Sequence, residues 1–180
     1  MSDIYIISDT HFYHDKDFIW QKRGFNSVSE MNEALISNWN SVVQYNDIVY
    51  HLGDFCVGTT NINDIEHIMN ALRGKIRLVV GNHDTETRLN IYKDFPIFED
   101  VQYGYSLKIN KKIHFLLTHY PTLTGNPGDY HKLYSIHGHT HSPNKFCEYD
   151  LMYNTSCEAI NCTPISIEQI VYEIGQKRII

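Results

Sequence analysis

Short apolar runs recur along the first half of the chain, separated by stretches with a different period. Ile4-Tyr5-Ile6-Ile7, residues 47–52 and residues 75–80 are rich in β-branched and aromatic residues. Runs of this length and composition predict buried strands. We therefore expect three strands, each followed directly by a polar cluster.

The stretches between these runs have helical spacing. Apolar residues recur every three or four positions over 31–43 and again over 62–72, so each stretch predicts a helix with one apolar face. Ser27-Val28-Ser29-Glu30 fits a capping box before the first helix, and Gly74 is placed to close the second. The order β-α-β-α-β favours parallel strands with helical crossovers.

The second half of the chain is predicted to be mainly strands. The strand-like runs are 98–101, 105–109, 113–118, 133–137, 165–174 and 178–180. Residues 86–92 predict a short helix, and Asn110-Lys111-Lys112 predicts a hairpin turn. Residues 12–25 are expected to form a loop with a helical turn, and residues 121–130 a long loop.

Polar clusters stand at the ends of five predicted strands. They are Asp9-Thr10-His11, Gly53-Asp54, Gly81-Asn82-His83-Asp84, His119 and Gly138-His139-Thr140-His141. In open α/β sheets, ligands bind outside the carboxyl ends of the strands. Two histidines two residues apart point the same way from extended chain. Glycine before the first of them lets the backbone approach another group closely. We therefore expect all five clusters to meet in one site.

The side chains in these clusters are of types that commonly bind metal ions. Asp and His together suit manganese, iron, zinc or nickel rather than calcium, and we expect Mn²⁺ first. The candidate ligands are Asp9, His11, Asp54, Asn82, His119, His139 and His141. They suffice for two divalent ions if one carboxylate bridges. Two ions about 3.5–4 Å apart clamp the attacking and leaving oxygens of an in-line displacement at phosphorus and supply hydroxide near neutral pH.

In order and spacing, these five motifs resemble the signature of the calcineurin-like metallophosphoesterase family. The resemblance spans residues 8–141, and the small size is similar to the compact bacterial and phage-type branch. It implies an α/β fold, a two-sheet β-sandwich flanked by helices in four α-β-β-α layers. It also implies a metal-bridging hydroxide that attacks a phosphate ester, most simply a phosphodiester.

The resemblance also assigns roles to single residues. It implies that Asp9, His11 and His141 hold the first metal and that Asn82, His119 and His139 hold the second, with Asp54 between them. His83 would lie over the substrate phosphate and protonate the leaving oxygen, a role that suits the ordinary pKa of histidine. Larger members often carry an acidic residue and an arginine after the Gly-Asp motif. Phe55-Cys56-Val57-Gly58 stands there instead, which leaves the phosphate clamp of that segment without a counterpart.

Length and charge limit the classes of substrate that we expect. The chain has 180 residues, and we expect residues 1–180 to form a single domain. Its formal net charge is −6, so it lacks the basic footprint of a protein that tracks duplex phosphates. A small phosphorylated substrate such as a nucleotide is favoured over nucleic acid. Asn82 and Arg23 are the candidate substrate contacts, because arginine matches phosphate oxygens with a planar fork.

Two alternatives share this fold. One is a non-catalytic interaction module whose metal site is structural. The other is a nuclease, for which the sequence offers only four residues near the site to build a basic groove: Lys22, Arg23, Lys132 and Lys145.

The remaining histidines and the cysteines receive simpler interpretations. We expect His51 and His137 to be structural, whereas His14 and His131 are left open between a substrate contact and a loop position. The four cysteines lack CxxC spacing, which favours free thiols over a zinc knuckle built from the last three. The N-terminus has no signal-peptide pattern and no apolar run approaches the ~18 residues of a membrane span, so we expect a cytosolic protein. The oligomeric state stays open.

Overall fold

Two mixed β-sheets form the centre of the structure. The computed structural model describes residues 2–124, 132–146 and 151–177. The strands in this part of the chain are β1 (Ile4–Ile7), β2 (Ile48–His51), β3 (Lys75–Val79), β4 (Phe98–Gln102), β5 (Tyr105–Lys108), β6 (Ile113–Leu117), β7 (Lys132–His137), β8 (Met152–Asn154) and β9 (Ile165–Ser166). The helices are α1 (Asp17–Trp20), α2 (Val28–Val42), α3 (Ile62–Ala71), α4 (Glu86–Tyr92) and α5 (Ile167–Lys177).

The first sheet has the strand order β4-β3-β2-β1-β9. Its first four strands are parallel, and β9 runs antiparallel to β1. α2 and α3 connect the three parallel strands β1, β2 and β3, which confirms the predicted β-α-β-α-β order. Because these strands are parallel, the loops that follow them emerge at one edge of the sheet.

The second sheet has the order β5-β6-β7-β8. β5 and β6 form the predicted antiparallel hairpin, and the side-chain carbonyl of Asn110 accepts hydrogen bonds from the backbone N–H groups of Lys112 and Ile113 in its turn. β6, β7 and β8 are parallel, so the ends of β6 and β7 also share an edge. The two sheets meet where Ser8, just after β1, pairs with Ser156, just after β8.

The two faces of the first sheet contact different layers. On one face, the ring of Tyr50 in β2 packs edge-on against Tyr105 of β5 in the second sheet, with 5.1 Å between the ring centroids. On the other face, the next residue His51 stacks on Trp39 of α2. The Trp39 indole is buried, and its N–H donates a hydrogen bond to the carbonyl of Arg73. The sandwich with flanking helices agrees with the predicted fold class.

The predicted helix boundaries are mostly confirmed. At the start of α2, the Ser27 hydroxyl accepts a hydrogen bond from the Glu30 N–H, but the Glu30 carboxylate bonds to the N–H of Asn26 rather than Ser27, so only half of the capping box forms. α3 ends at Ala71, before the predicted closing glycine. Gly74, with φ +87°, instead turns the chain into β3.

The prediction of a closing strand over residues 165–174 was wrong beyond its first two residues. Only Ile165–Ser166 is a strand, and α5 follows at once. Ile167, Ile170 and Ile174 are buried along one side of that helix. Their spacing is helical, and packing on that stripe overrides the β preference of an Ile- and Val-rich segment. Residues 178–180 lie outside the described residues.

Two further predictions concern loops and membranes. The loop over 12–25 contains one short helix, α1, as expected. Residues 125–131 of the second predicted loop lie outside the described part of the chain, as do His131 and Cys147. Among the described residues, no helix combines the length and apolar character needed to cross a bilayer.

Candidate metal centre

The seven candidate ligands all follow the carboxyl ends of strands. Asp9 and His11 follow β1, Asp54 follows β2, Asn82 follows β3, His119 follows β6, and His139 and His141 follow β7. The first three of these strands belong to the first sheet and the last two to the second. The site therefore lies where the two sheets open towards the same edge.

The backbone at this edge adopts a conformation that L-residues rarely use. Five candidate ligands have positive φ: Asp9 (56°), His11 (52°), Asp54 (57°), His139 (67°) and His141 (48°). Such residues cluster at functional sites because the surrounding structure must hold them there. The expectation that His139 and His141 lie on extended chain was therefore wrong. Each left-handed residue turns the backbone sharply, and the two rings reach different neighbours.

Three glycines allow the loops to approach each other. A Cβ at Gly138 would lie 2.3 Å from a carboxylate oxygen of Asp9, and one at Gly81 would lie 2.3 Å from a carboxylate oxygen of Asp54. A Cβ at Gly53 would lie 2.6 Å from Nδ1 of His119. Any side chain at these positions would displace a candidate ligand, so the close backbone approach predicted for Gly138 is confirmed.

One group of ligand atoms comprises Asp9, His11 and His141. The imidazole Nε2 of His141 lies 3.7 Å from Oδ1 of Asp9, and Nε2 of His11 lies 3.9 Å from the same oxygen. The three ligand atoms lie within 4.8 Å of one another, which is compatible with one shared cation. The Asp9 carboxylate also accepts a 2.9 Å hydrogen bond from the backbone N–H of His139.

A second group surrounds Asp54. Nε2 of His119 lies 3.6 Å from Oδ2 of Asp54 and 2.8 Å from Oδ1 of Asn82. Nδ1 of His139 lies 2.9 Å from the same Asn82 oxygen. The carboxylates of Asp9 and Asp54 and the ring of His119 form a further set whose ligand atoms lie within 4.8 Å of one another.

The chemistry of these atoms fits divalent cations. Nε2 of His11 is buried and has no hydrogen-bond partner, yet it lies 3.6 Å from Oδ2 of Asp54. Burial, followed by the charges of His141 and Arg23, lowers the pKa of His11 well below its ordinary value. The ring is therefore neutral and offers a lone pair. Burial also raises the pKa of Asp54, because the ionised carboxylate loses hydration there.

Asp84 supports the loops beneath the site. Its carboxylate accepts hydrogen bonds from the backbone N–H groups of Gly81 (2.9 Å), Asp54 (2.8 Å) and Phe55 (3.1 Å). These bonds join the loop after β3 to the loop after β2. Burial raises the pKa of Asp84 to about 6. Sequence reasoning had assigned no role to this residue.

Glu158 orients His141 and also pairs with Arg23, the residue predicted to contact the substrate phosphate. The Glu158 carboxylate accepts hydrogen bonds from Nδ1 of His141 and Nε of Arg23, both at 2.9 Å. The other Arg23 nitrogens donate to the carbonyls of Asp9 and Thr10. Only 1% of the Arg23 side chain is exposed, so its guanidinium supports the first loop instead of contacting phosphate.

His83 lies at the rim of the site. Its backbone N–H donates a 2.7 Å hydrogen bond to Oδ1 of Asp54, while its side chain is exposed. The ring centroid lies 5.5 Å from that of His11. Arg88 fixes this loop by donating to the carbonyls of His83, Val57 and Thr59. Sequence reasoning missed Arg88, because its partners Val57 and Thr59 lie 31 and 29 positions earlier in the chain.

The other histidines and the cysteines agree with structural roles. His51 is buried and its Nε2 lies 3.0 Å from the hydroxyl of Thr10, and His137 is buried beneath Gly138. Cys56, Cys157 and Cys162 are buried free thiols. Asn82 is exposed at the rim, beside the rings of His119 and His139.

The two-sheet fold and a cluster of Asp and His residues that could hold metal ions are typical of metal-dependent hydrolases. The sequence profile of the Calcineurin-like phosphoesterase superfamily domain matches residues 2–160. The chain belongs to this family, whose members are generally hydrolytic and metal-dependent.

Known relatives extend over most of the chain. An uncharacterized protein of Methanocaldococcus jannaschii is 35% identical over 191 aligned positions, which cover 100% of this chain and 96% of the relative. The Gene 66 protein of Mycobacterium phage L5 is 29% identical over 166 positions, 79% of each chain. The crystal structure of a protein of unknown function from Aquifex aeolicus superposes with a TM-score of 0.74 at 28% identity, covering 97% of this chain and 100% of that one.

Proposed function

We propose that this protein is a phosphodiesterase that hydrolyses a nucleotide or another small phosphate ester at a dinuclear metal centre. Asp9, His11 and His141 would hold one divalent ion, and His119, Asn82 and His139 would hold the second. Asp54 would contribute its carboxylate to both. The ions, when bound, neutralise charge on the phosphate and lower the pKa of a water molecule. Mn²⁺ is the first choice for this donor set, followed by Fe, Zn and Ni.

The observation that carries this proposal is the unpartnered Nε2 of His11. A buried nitrogen without a hydrogen bond costs about 1–3 kcal/mol. This one faces carboxylate oxygens of Asp54 and Asp9 at 3.6 and 3.9 Å, too far for a direct hydrogen bond. A cation between the three groups would satisfy all of them at once.

His83 is the residue placed to act on the substrate. Its backbone is anchored to Asp54, and its exposed ring stands beside His11. It is not needed as a ligand, so it is free to donate a proton to the leaving oxygen and a hydrogen bond to the phosphate. Asn82, next to it at the rim, is the proposed second contact to a phosphate oxygen.

The charges near the site favour a small substrate over nucleic acid. Arg23 is paired with Glu158, and Lys145 is paired with Glu173 at 2.8 Å. Lys132 begins β7, at the opposite end from the strand terminus that leads to the site. Of the four cations considered for a basic groove, only Lys22 therefore offers an unpaired charge near the metals among the described residues. A groove that binds a long nucleic acid needs more unpaired cations than this.

The proposal is tested with metal-loaded protein and a chromogenic phosphodiester such as bis(4-nitrophenyl) phosphate. We expect Mn²⁺-dependent turnover, two ions bound per chain, and a loss of at least about 100-fold in kcat for His83→Ala with both ions retained. Asp54→Asn is expected to lose turnover and metal together. His67→Ala, on α3, is the matched histidine control. Bound metal without turnover on any phosphate ester would favour the non-catalytic module instead.

A further inference from the structure

A cavity opens beside the metal centre, and one of its walls has no part in the proposed chemistry. The cavity has a volume of about 400 Å³, within the range of small-molecule sites. His11, His83 and His141 of the candidate metal centre line part of it. A wall formed by a single segment adds His14, Phe18 and Lys22 to the lining.

Phe18 presents an aromatic ring to solvent at this wall. It lies on α1, and 58% of the residue is exposed, whereas its neighbour Ile19 is only 6% exposed and belongs to the core. Burial of Ile19 fixes the short helix so that Phe18 points outward. The Phe18 ring meets His14 edge-on, with 5.9 Å between the centroids at 84°. This contact leaves ring surface available, and an exposed aromatic face stacks readily on a base.

His14 ties this wall to the metal centre. Its Nδ1 lies 2.9 Å from Nδ1 of His11, and the two rings stack at 5.1 Å and 15°. With Nε2 of His11 reserved for a metal ion, Nδ1 is the ring nitrogen left to share a hydrogen bond with His14. The hydrogen bond fixes the distance between the wall and the phosphate position, which is the rigidity that a specific subsite needs.

Lys22 supplies positive charge at the same wall. Its side chain is exposed, and none of the ion pairs within the described residues includes it. It also lines a second cavity of about 440 Å³, together with His141, Glu158 and Asn161. Lys22 therefore lines both cavities, as His141 of the candidate metal centre does, and its charge is available to an anionic oxygen of a ligand bound there.

A second aromatic ring at the rim is less available. Tyr120 is 51% exposed, but its ring packs against His139 and His119, with centroid distances of 4.6 and 5.0 Å. Part of its face is therefore covered by the proposed metal ligands. Phe18 offers a freer surface on the side of the cavity that His83 also lines.

We propose that His14, Phe18 and Lys22 form a subsite for the base-bearing part of a nucleotide. This inference rests on the proposed function and deepens it. The base stacks on Phe18, Lys22 contacts an anionic oxygen of the nucleotide, and His14 positions the wall relative to the metal-bound phosphate. Phe18 is the specificity-determining group, whereas Lys22 adds affinity and His14 is a positioning residue; none of the three is a catalytic residue.

The test compares two ligands that differ only in the base. Calorimetry measures the binding of adenosine 5′-monophosphate and of ribose 5-phosphate to the Mn²⁺-loaded protein. We expect the nucleotide to bind about 5-fold to 150-fold more tightly, the effect of one stacked base. Phe18→Ala is expected to bring the ratio close to 1, and Phe18→Trp to keep it. Lys22→Gln is expected to weaken the binding of both ligands and to leave the ratio of their affinities unchanged.

Two exposed tyrosines complete the design. Tyr45→Ala, between α2 and β2 and at the opposite edge of the first sheet from the site, is the matched control and leaves the ratio unchanged. Equal affinities in the wild type, undetectable binding of both ligands, or a ratio that survives Phe18→Ala but falls in Tyr120→Ala would overturn the subsite. Diester hydrolysis by the same preparation tests the proposed function separately. Hydrolysis without base preference removes only the subsite, and base preference without hydrolysis removes only the proposed function.

Discussion

Substitution of Glu158 by glutamine tests whether a buried carboxylate holds His141 in place for the first metal ion. Glu158 receives hydrogen bonds from His141 and Arg23, each 2.9 Å long. Burial alone would raise its pKa, but the His141 hydrogen bond and the Arg23 charge outweigh burial and lower the pKa to about 2. The carboxylate is therefore ionised at neutral pH, and glutamine removes its charge while keeping its shape.

Glu158→Gln is expected to lower both the metal affinity and the free energy of unfolding. A carboxylate that orients a metal-binding histidine is typically worth about 10–100-fold in metal affinity, or about 1.4–2.7 kcal/mol. Loss of the carboxylate also leaves the Arg23 guanidinium, 1% exposed, without its counter-charge. Breaking a buried ion pair costs about 3–5 kcal/mol. The lower end applies here, since Glu158 is 13% exposed and Arg23 keeps its bonds to the carbonyls of Asp9 and Thr10.

Metal titration by calorimetry and urea unfolding measure the two effects separately. Glu173→Gln is the matched control, because Glu173 on α5 also pairs with a cation, Lys145, and accepts a hydrogen bond from the hydroxyl of Tyr153. It is expected to leave metal affinity unchanged. We expect Glu158→Gln to weaken binding of the ion held by His141 and to leave the affinity for the ion at Asp54 and His119 unchanged. Wild-type affinity for both ions and unchanged stability in Glu158→Gln would refute the reasoning.

Two further predictions concern a glycine and a buried histidine. Gly138→Ala places a methyl group against Asp9 and is expected to abolish binding of the first metal ion. Its control is Gly175→Ala, where an added Cβ meets nothing within 4 Å, and this variant should raise the free energy of unfolding by up to about 1 kcal/mol. Metal titration and urea unfolding of both variants test these expectations. Burial and the His119 charge lower the pKa of His51 to about 3, below the ordinary 6.5, so its contribution to stability is complete above pH 6.5 and falls as the pH drops towards 3. Urea unfolding of metal-free protein at several pH values gives the free energy of unfolding as a function of pH. Between pH 3 and 6.5, this free energy should rise less steeply in His51→Gln than in the wild type, by up to about 1.4 kcal/mol per pH unit. Equal pH dependence in the two proteins would contradict the assignment.

Sequence periodicity predicted the parts of the fold in which local and tertiary preferences agree. The strands β1, β2 and β3 are apolar and β-branched, and α2 has a regular apolar stripe. The segment 165–177 carries both signals, because Ile165 and Ile167 alternate with polar residues while Ile167, Ile170 and Ile174 follow helical spacing. Only the position of β1 and β9 beneath the helix decides between them. β8 was missed because three residues carry no detectable period.

The same limit applies to the site. Short motifs at strand ends identified the candidate ligands, since each motif is contiguous in sequence. Glu158 supports His141 from 17 positions away, and Arg23 reaches Glu158 across 135 positions, so neither contact leaves a local pattern. Sequence alone presented Arg23 as a free cation suited to phosphate. Its pairing with Glu158 is evident only in the three-dimensional structure.

The left-handed backbone at the ligands explains why the site occupies this edge. A left-handed L-residue costs about 1–2 kcal/mol, so five of them cost roughly 5–10 kcal/mol, as much as the net stability of a typical domain. Looser loops would avoid this strain, but they would not turn within two residues of β1 to bring Asp9 and His11 back over the sheet. Three N–H groups held by Asp84 and the buried Arg23–Glu158 pair resist relaxation of these turns. These contacts therefore hold the carboxylates of Asp9 and Asp54 close together, and a cation bound between them would offset their repulsion.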